Sequence, residues 1–194
     1  MSLVPYKRKR NFKKTPEPAV ALKTGRQKAP KNIKQRRRQL SFVVQKHRSS
    51  HLHYDFRLEI RGLLKSWAVP KGPSMNPADK RLAIQVEDHP YEYKSFEGAI
   101  PPGNYGAGQV IVWDAGTYLP ALRSGDPETI MLHGLHRGSL RFELRGAKLK
   151  GMFTLVRFRP PDQWLLAKVN DRFASHEHVT EDDTSVISHR RLEG

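Results

Sequence analysis

The residues best suited to chemistry are three metal-ligand types within nine positions, His47, His53 and Asp55. Residues 52–60 alternate as a half-buried strand does, which places all polar members on one face. The polar members are His53, Asp55, Arg57 and Glu59, and the apolar members are Leu52, Tyr54, Phe56, Leu58 and Ile60. Two imidazoles and a carboxylate can bind a transition metal, and an adjacent arginine can bind an anion. The pattern predicts metal-assisted chemistry on a phosphate, although most polar strand faces only contact water.

Further candidates come from a second strand and from loops. His89 follows the alternating stretch 81–87, and Pro90 holds it extended at the strand end. A histidine there can bind a phosphate oxygen or protonate a leaving group near neutral pH, but many strand-end histidines have no such role. Donors for a phosphate would come from Arg57, Lys71, Arg81 and Tyr93. Lys71 could equally be an ordinary surface lysine in its turn.

Composition and charge restrict the class of protein. The chain has 194 residues, enough for one domain, and no cysteine, which excludes disulfides, thiolate zinc sites and a cysteine nucleophile. Without an apolar leader or a span-length apolar run, we expect a cytoplasmic, nucleoid-associated protein with no membrane attachment. The net charge of +16 is concentrated in residues 1–40, where Glu17 is the single acid. Such a segment is typical of a nucleic-acid-binding arm, although a disordered leader has the same composition.

The elements that must position these residues are mostly short strands. Strands are predicted at 41–46, 52–60, 63–69, 82–87, 108–113, 139–144, 152–158 and 163–169. One short helix is predicted from Pro127, with Asp126 as its N-cap, toward Gly134 or Gly138. This pattern predicts a mainly β protein, and we favour a small antiparallel β-barrel of about eight strands over a sandwich. The basic N-terminal arm, 1–40, would precede the barrel domain, 41–173, and the polar C-terminal tail, 174–194, is expected to fray.

Several ordered blocks of the sequence resemble the 3′-phosphoesterase family, the end-healing module of bacterial DNA ligase D. The blocks are QKH (45–47), LHYDFRLE (52–59), LKSWAVPKGPS (64–74), VEDHP (86–90), FEG (96–98), IP (100–101), YGAG (105–108), LKG (149–151) and WLL (164–166). The likeness extends over residues 6–173, and we expect a free-standing member of the family. The arm is similar to the N-terminal motif of the family from Lys9 to Glu17, except that Asn11 replaces an acid common there. Any activity that depends on that carboxylate stays open.

The resemblance implies healing of DNA 3′ ends at breaks repaired by non-homologous end joining. It implies a phosphodiesterase step that removes a 3′-terminal ribonucleoside, and then a phosphomonoesterase step that leaves a 3′-hydroxyl. Mn²⁺ is the expected metal, with other divalent transition metals as alternatives, bound by His47, His53 and Asp55. The family pattern implies catalytic roles for His89, Arg57 and Glu87. It implies phosphate or substrate binding by Arg57, Lys71, Arg81, His89, Tyr93, Arg10 and Glu17, so part of the arm would fold onto the catalytic domain.

Two other functions remain open on the sequence alone. A His-x-Asp pair with a distant histidine is also the ligand set of non-haem iron oxygenases, although the surplus of phosphate donors argues against that function. The second alternative is a non-catalytic nucleic-acid-binding module with a basic arm. For the phosphoesterase, the expected substrates are DNA or RNA-terminated primer-template 3′ ends. End-joining ligase, polymerase and Ku proteins are candidate partners, and we expect a monomer.

Overall fold

The computed structural model describes residues 2–19 and 39–192. Its strands are β1 (Leu40–Arg48), β2 (Leu52–Ile60), β3 (Leu63–Val69), β4 (Lys80–Gln85), β5 (His89–Pro90), β6 (Gly98–Ile100), β7 (Gly108–Pro120), β8 (Ser139–Gly146), β9 (Lys150–Arg159) and β10 (Gln163–Lys168). Its α-helices are α1 (Val4–Arg8) and α2 (Pro127–Arg137), and 3-10 helices cover Tyr91–Ser95 and Val179–Glu181. The part of the predicted arm that carries the arginine run 36–38 lies outside the described residues.

The long strands form a closed antiparallel barrel. Eight of them pair in the order β1, β2, β3, β4, β10, β9, β8 and β7, and β7 pairs in turn with β1. The eight strands predicted from the sequence are these eight, so the predicted mainly β barrel is confirmed. The short strands β5 and β6 lie outside the closed barrel, where β5 pairs with β3 and β6 pairs with β7. Closure leaves no unpaired edge in the barrel wall.

The barrel interior is filled by apolar side chains from all eight strands of the closed barrel. The alternation in β2 is confirmed, because Tyr54, Phe56, Leu58 and Ile60 belong to the interior cluster. Helix α2 adds Met131 to the same cluster. It begins as predicted, with the Asp126 side chain accepting from the backbone N–H of Thr129, and it ends at Gly138, whose φ is 77°. Glycine is the residue that adopts this left-handed conformation at the lowest cost.

A second apolar cluster covers part of the outer surface of the barrel. It consists of Tyr6, Val43, Leu64, Tyr93, Phe96, Ile100, Val110 and Val112. Tyr6 comes from α1, is fully buried, and donates its hydroxyl hydrogen bond to the backbone oxygen of Pro18 at 2.8 Å. The sequence pattern does not predict α1, because a helix of one turn is stable only through tertiary packing. This cluster attaches residues 2–19 to the barrel wall.

The C-terminal segment, which the sequence predicts to fray, contacts the barrel through part of its described residues. The indole N–H of Trp113 donates to the backbone oxygen of Asp182, and the N–H of Val186 donates to the oxygen of Val112 at 2.9 Å. The Ser185 hydroxyl is buried and donates to Glu97. A polar sequence can therefore pack when its hydrogen bonds reach the barrel. Among the described residues, no helix has the length and apolar character needed to span a membrane.

Candidate active site

A cavity of about 520 Å³ lies on the outer surface of the barrel, over β1, β2 and β3. Its walls come from these strands, from the segment that follows β4, from the N-terminal arm and from the loop before β7. Most of the candidate residues line it, namely Arg10, His47, His53, Asp55, Arg57, Glu87, His89 and Tyr93. The structure thus brings together residues that are up to 83 positions apart in the sequence.

The three metal-ligand candidates converge because β1 and β2 are antiparallel neighbours. The register places His47 opposite His53, and it places Asp55 opposite Gln45, the next pair on the same face. His47 Nδ1 lies 3.6 Å from Asp55 Oδ2, and His53 Nε2 lies 3.9 Å from Asp55 Oδ1. One ligand atom from each residue lies within 4.8 Å of the other two. This spacing suits three ligands around one divalent ion.

Backbone hydrogen bonds orient both imidazoles. His47 Nε2 lies 2.9 Å from the oxygen of Gly106, and His53 Nδ1 lies 3.0 Å from the oxygen of His51. Since a carbonyl oxygen only accepts, these nitrogens carry the hydrogen atoms in the neutral rings. The other nitrogen of each ring then presents a lone pair toward Asp55. Metal-binding histidines are commonly held in this way, and the donor set therefore fits a metal.

Arg57 connects the metal-ligand set to the rest of the cavity. Its Nη2 donates to Asp55 Oδ2 at 3.1 Å, and both side chains are buried. Burial alone would raise the pKa of Asp55, but the charge of Arg57 and the two neighbouring histidines hold that pKa well below its usual range. The carboxylate is therefore ionised at neutral pH, as a metal ligand must be.

A buried hydrogen-bond network fixes the guanidinium group of Arg57. Nε donates to the side-chain oxygen of Gln45 at 2.8 Å, and Nη1 donates to the hydroxyl of Ser66 at 2.7 Å. The amide of Gln45 donates to the backbone oxygens of Tyr93 and Phe96. Gln45 and Ser66 were missed by the sequence reasoning. Gln45 could have been found, because it is two residues from His47 on the same strand face.

His89 lies between two guanidinium groups. Its Nδ1 is 2.9 Å from Arg57 Nη1 and 2.9 Å from the backbone oxygen of Glu87, and its Nε2 is 3.2 Å from Arg10 Nη2. Burial, followed by the charges of Arg57 and Arg10, lowers the pKa of His89 well below its ordinary value. The neutral imidazole is therefore favoured at neutral pH, and a negative charge that enters the cavity would favour its protonation.

The N-terminal arm reaches the cavity through a chain of ion pairs. Arg10 Nε lies 2.8 Å from Glu17, and Arg10 Nη1 lies 3.2 Å from Glu87. Glu17 also accepts from the Tyr93 hydroxyl at 2.9 Å, and Lys9 Nζ donates to Glu87 at 3.0 Å. Burial would raise the pKa of Glu87, but its hydrogen bonds with Lys9 and Arg10 lower it overall. Both glutamates therefore hold cationic residues of the arm in place.

Three candidate residues do not line the cavity. Glu17 contacts Arg10, which does line the cavity. Lys71 is exposed in the turn after β3. Arg81 pairs in register with Leu166, which belongs to the barrel interior, and its guanidinium donates to Asp79 at 2.8 Å. Arg81 thus lies on the opposite side of the barrel wall from Asp55, and this arrangement does not support phosphate binding by Lys71 or Arg81.

Comparison with known proteins identifies the family of this chain. Residues 45–157 match the model of the DNA Ligase D 3′-phosphoesterase domain, which is more than half of the chain. The chain belongs to this family. Membership in the 3′-phosphoesterase family makes it a hydrolase of phosphate esters, in a family whose relatives are named for non-homologous end joining. The departure at Asn11 lies at the surface, where its side-chain oxygen accepts from the backbone N–H of Lys13 at 3.1 Å.

The similar proteins are much longer than this chain. The multifunctional non-homologous end joining protein LigD of Pseudomonas aeruginosa is 48% identical over 197 residues, which cover 98% of this chain and 22% of that protein. The multifunctional non-homologous end joining DNA repair protein LigD of Mycobacterium tuberculosis is 41% identical over 172 residues, covering 88% of this chain and 20% of that protein. The chain therefore spans about a fifth of the length of these relatives.

Proposed function

We propose that the chain is a metal-dependent phosphoesterase that heals DNA 3′ ends. It removes a 3′-terminal ribonucleoside to leave a 3′-phosphate, and then removes this phosphate to leave a 3′-hydroxyl. The observation that supports this proposal best is the convergence of two kinds of group in one cavity. A metal-ligand set, His47, His53 and Asp55, adjoins the cations Arg57 and Arg10, which suit a phosphate. Family membership supports the same reaction class and argues against an oxygenase.

The metal would be held by His47 Nδ1, His53 Nε2 and a carboxylate oxygen of Asp55. We propose Mn²⁺ because the family resemblance implies it, and the carboxylate of Asp55 suits this ion. When bound, a divalent ion polarises a phosphoryl oxygen and lowers the pKa of a bound water. The hydrogen bonds from His47 to Gly106 and from His53 to His51 keep the lone pairs directed at the ion without rearrangement.

Arg57 and Arg10 bind and orient the scissile phosphate. Arg57 is held by Gln45 and Ser66 before substrate arrives, so it stabilises the developing charge with little reorganisation. A phosphate dianion or diester between the two guanidinium groups would raise the pKa of His89. His89 Nε2 then holds the proton that the departing sugar oxygen requires. Glu87, which contacts Lys9 and Arg10, acts as a positioning residue for the arm.

The substrates proposed are 3′ ends of DNA, including primer-template ends that carry a terminal ribonucleotide. The positive charge of residues 1–40 supports binding to a polyanion. The names of the relatives support a place in end joining beside ligase, polymerase and Ku proteins. Association with the nucleoid is proposed on the same grounds, and we expect the chain to act as a monomer.

The test uses a labelled primer-template with one terminal ribonucleotide, incubated with Mn²⁺ or with EDTA. The wild-type chain should give first a 3′-phosphate product and then a 3′-hydroxyl product, and EDTA should stop both steps. His47→Ala should abolish metal binding and hydrolysis. His51→Ala is the matched control, because this exposed histidine is in the β1–β2 turn and its side chain does not line the cavity. Full activity of His47→Ala would refute the metal assignment. Binding of the primer-template without any hydrolysis would support the non-catalytic alternative.

A further inference from the structure

Tyr105 is an exposed aromatic residue at the rim of the active-site cavity, and no step of the proposed reaction uses it. Its side chain lines the cavity, yet 48% of the residue is exposed to solvent. Tyr105 lies in the YGAG block of the sequence, and the sequence alone assigns it no role.

The turn that carries Tyr105 is tied directly to the metal-ligand set. Gly106, the next residue, accepts through its backbone oxygen from His47. Gly106 has φ of 75°, and a Cβ there would lie 3.6 Å from the His47 ring. On the other side of the turn, the side chain and the backbone N–H of Asn104 both hydrogen-bond to the oxygen of Pro101. Tyr105 therefore projects from a turn whose position relative to the metal ligands is fixed.

Cationic residues of the arm hold the Tyr105 ring. Lys9 Nζ donates to the Tyr105 hydroxyl at 3.1 Å and lies 4.3 Å from the ring centroid. The guanidinium of Arg10 lies 5.6 Å from the same centroid. These contacts order the ring without covering it, since almost half of the residue remains exposed. An ordered, exposed ring beside cationic groups has the properties of a stacking platform for a nucleobase.

We propose that Tyr105 stacks against the base of the 3′-terminal nucleotide, the one released in the phosphodiesterase step. This inference rests on the proposed function. Arg10 indicates which end of the substrate is concerned. Its guanidinium lies 5.6 Å from the centroid of the Tyr105 ring and 3.2 Å from His89 Nε2, the nitrogen proposed above to protonate the leaving sugar oxygen. Every base has a π face, so stacking binds all four bases with similar strength. The site would thus recognise the presence of a terminal base rather than its identity.

The experiment compares two primer-templates that share the same scissile phosphate. One carries a terminal adenine ribonucleotide, and the other carries a terminal ribose without a base. Tyr105→Leu removes the ring, Tyr105→Phe keeps the ring but removes the hydroxyl bonded to Lys9, and Phe158→Leu is the matched control. Phe158 lies on β9, does not line the cavity and is also 48% exposed.

Tyr105→Leu should lower kcat/KM for the base-bearing end about 10-fold, as loss of one base–aromatic stack predicts. Its effect on the baseless end should be much smaller, and Tyr105→Phe should resemble the wild-type chain on both ends. The effect of Tyr105→Leu should also be the same for adenine and uracil ends.

Equal losses on the base-bearing and baseless ends would overturn the stacking role. So would a Tyr105→Phe variant as impaired as Tyr105→Leu, because the hydroxyl rather than the ring would then matter. A wild-type chain that hydrolyses neither end in the presence of Mn²⁺ refutes the proposed function itself, and the stacking role with it. A wild-type chain that hydrolyses both ends with no preference for the base refutes the stacking role alone.

Discussion

Removing the charge of Arg57 should destabilise the metal-free protein and at the same time strengthen metal binding. Arg57 Nη2 is 3.1 Å from Asp55 Oδ2, and their side chains are only 3% and 11% exposed. In Arg57→Met, Asp55 would remain as a buried carboxylate without its main counter-charge. A bound divalent ion would supply that charge, and it would no longer be repelled by a guanidinium group nearby.

The expected magnitudes follow from these contacts. Breaking a buried ion pair from one side costs about 3–5 kcal/mol of unfolding free energy. For a chain of this length, that cost corresponds to a fall in Tm of roughly 6–20 °C. Arg57→Lys keeps the charge and should lose less stability, although it cannot reach Gln45 and Ser66 as the guanidinium does. Metal affinity of Arg57→Met should rise about fivefold or more, since contacting groups couple by about 1 kcal/mol or more.

Thermal unfolding with EDTA and with Mn²⁺ measures the first effect, and titration calorimetry with Mn²⁺ measures the second. The stabilisation by Mn²⁺ should be larger for Arg57→Met than for the wild-type chain. Hydrolysis of the primer-template should fall at least 100-fold, because the reacting phosphate loses a preoriented hydrogen-bond donor. Two results would refute the reasoning. One is a metal-free Arg57→Met that is as stable as the wild-type chain, and the other is weaker Mn²⁺ binding by this variant.

Three further predictions concern stability and the buried network. Because the pKa of folded His89 is far below that of the unfolded chain, lowering the pH from 7 to 5 protonates the unfolded state preferentially and reduces stability. Urea unfolding at pH 7 and at pH 5 measures this loss of unfolding free energy, which should be about 2 kcal/mol smaller for His89→Gln than for the wild-type chain. An equal loss in the two proteins would contradict the lowered pKa of His89. Gln45→Leu leaves two backbone oxygens and Arg57 Nε without their hydrogen-bond partner. We therefore expect urea unfolding to show about 3 kcal/mol of destabilisation. The variant should also have a lower kcat, while it still binds Mn²⁺. Gly146→Ala should cost about 1–3 kcal/mol in the same assay, since its Cβ would meet Asp114 and Phe42 at under 3 Å, and an unchanged midpoint would show that the site can relax.

The sequence alone predicted the strands of the barrel and the candidate metal-ligand set, because both depend on local alternation. In β2, every second residue points to the same face, so the apolar series specified the interior and the series of His53, Asp55 and Arg57 specified the outer face. The strand register needed no further information, since a slip by one residue would bury the polar face. His47 joined the set because it precedes a short turn between neighbouring antiparallel strands.

The same logic failed in β4, where the apolar pattern and the packing disagree. Leu82 and Ile84 form the more apolar face, yet Leu82 is 39% exposed, while Ala83 is fully buried. Ala83 pairs with Trp164, whose ring packs against Trp67 inside the barrel, and these large rings leave room for a small residue only. Arg81 therefore lies on the interior side of the wall, away from the site. Only the packed barrel could decide this.

Tertiary structure also decided which residues outside the strands complete the site. Residues 2–19 have no helical or strand period, and their place depends on the burial of Tyr6 and on the ion pairs that Arg10 makes with Glu17 and Glu87. The partners of these contacts are 7 and 77 positions from Arg10. Sequence alternation specifies the face of a strand, because the side-chain period is a property of the local backbone. The segments that cover that face, including the turn with Tyr105, are fixed by contacts that exist only once the barrel has closed.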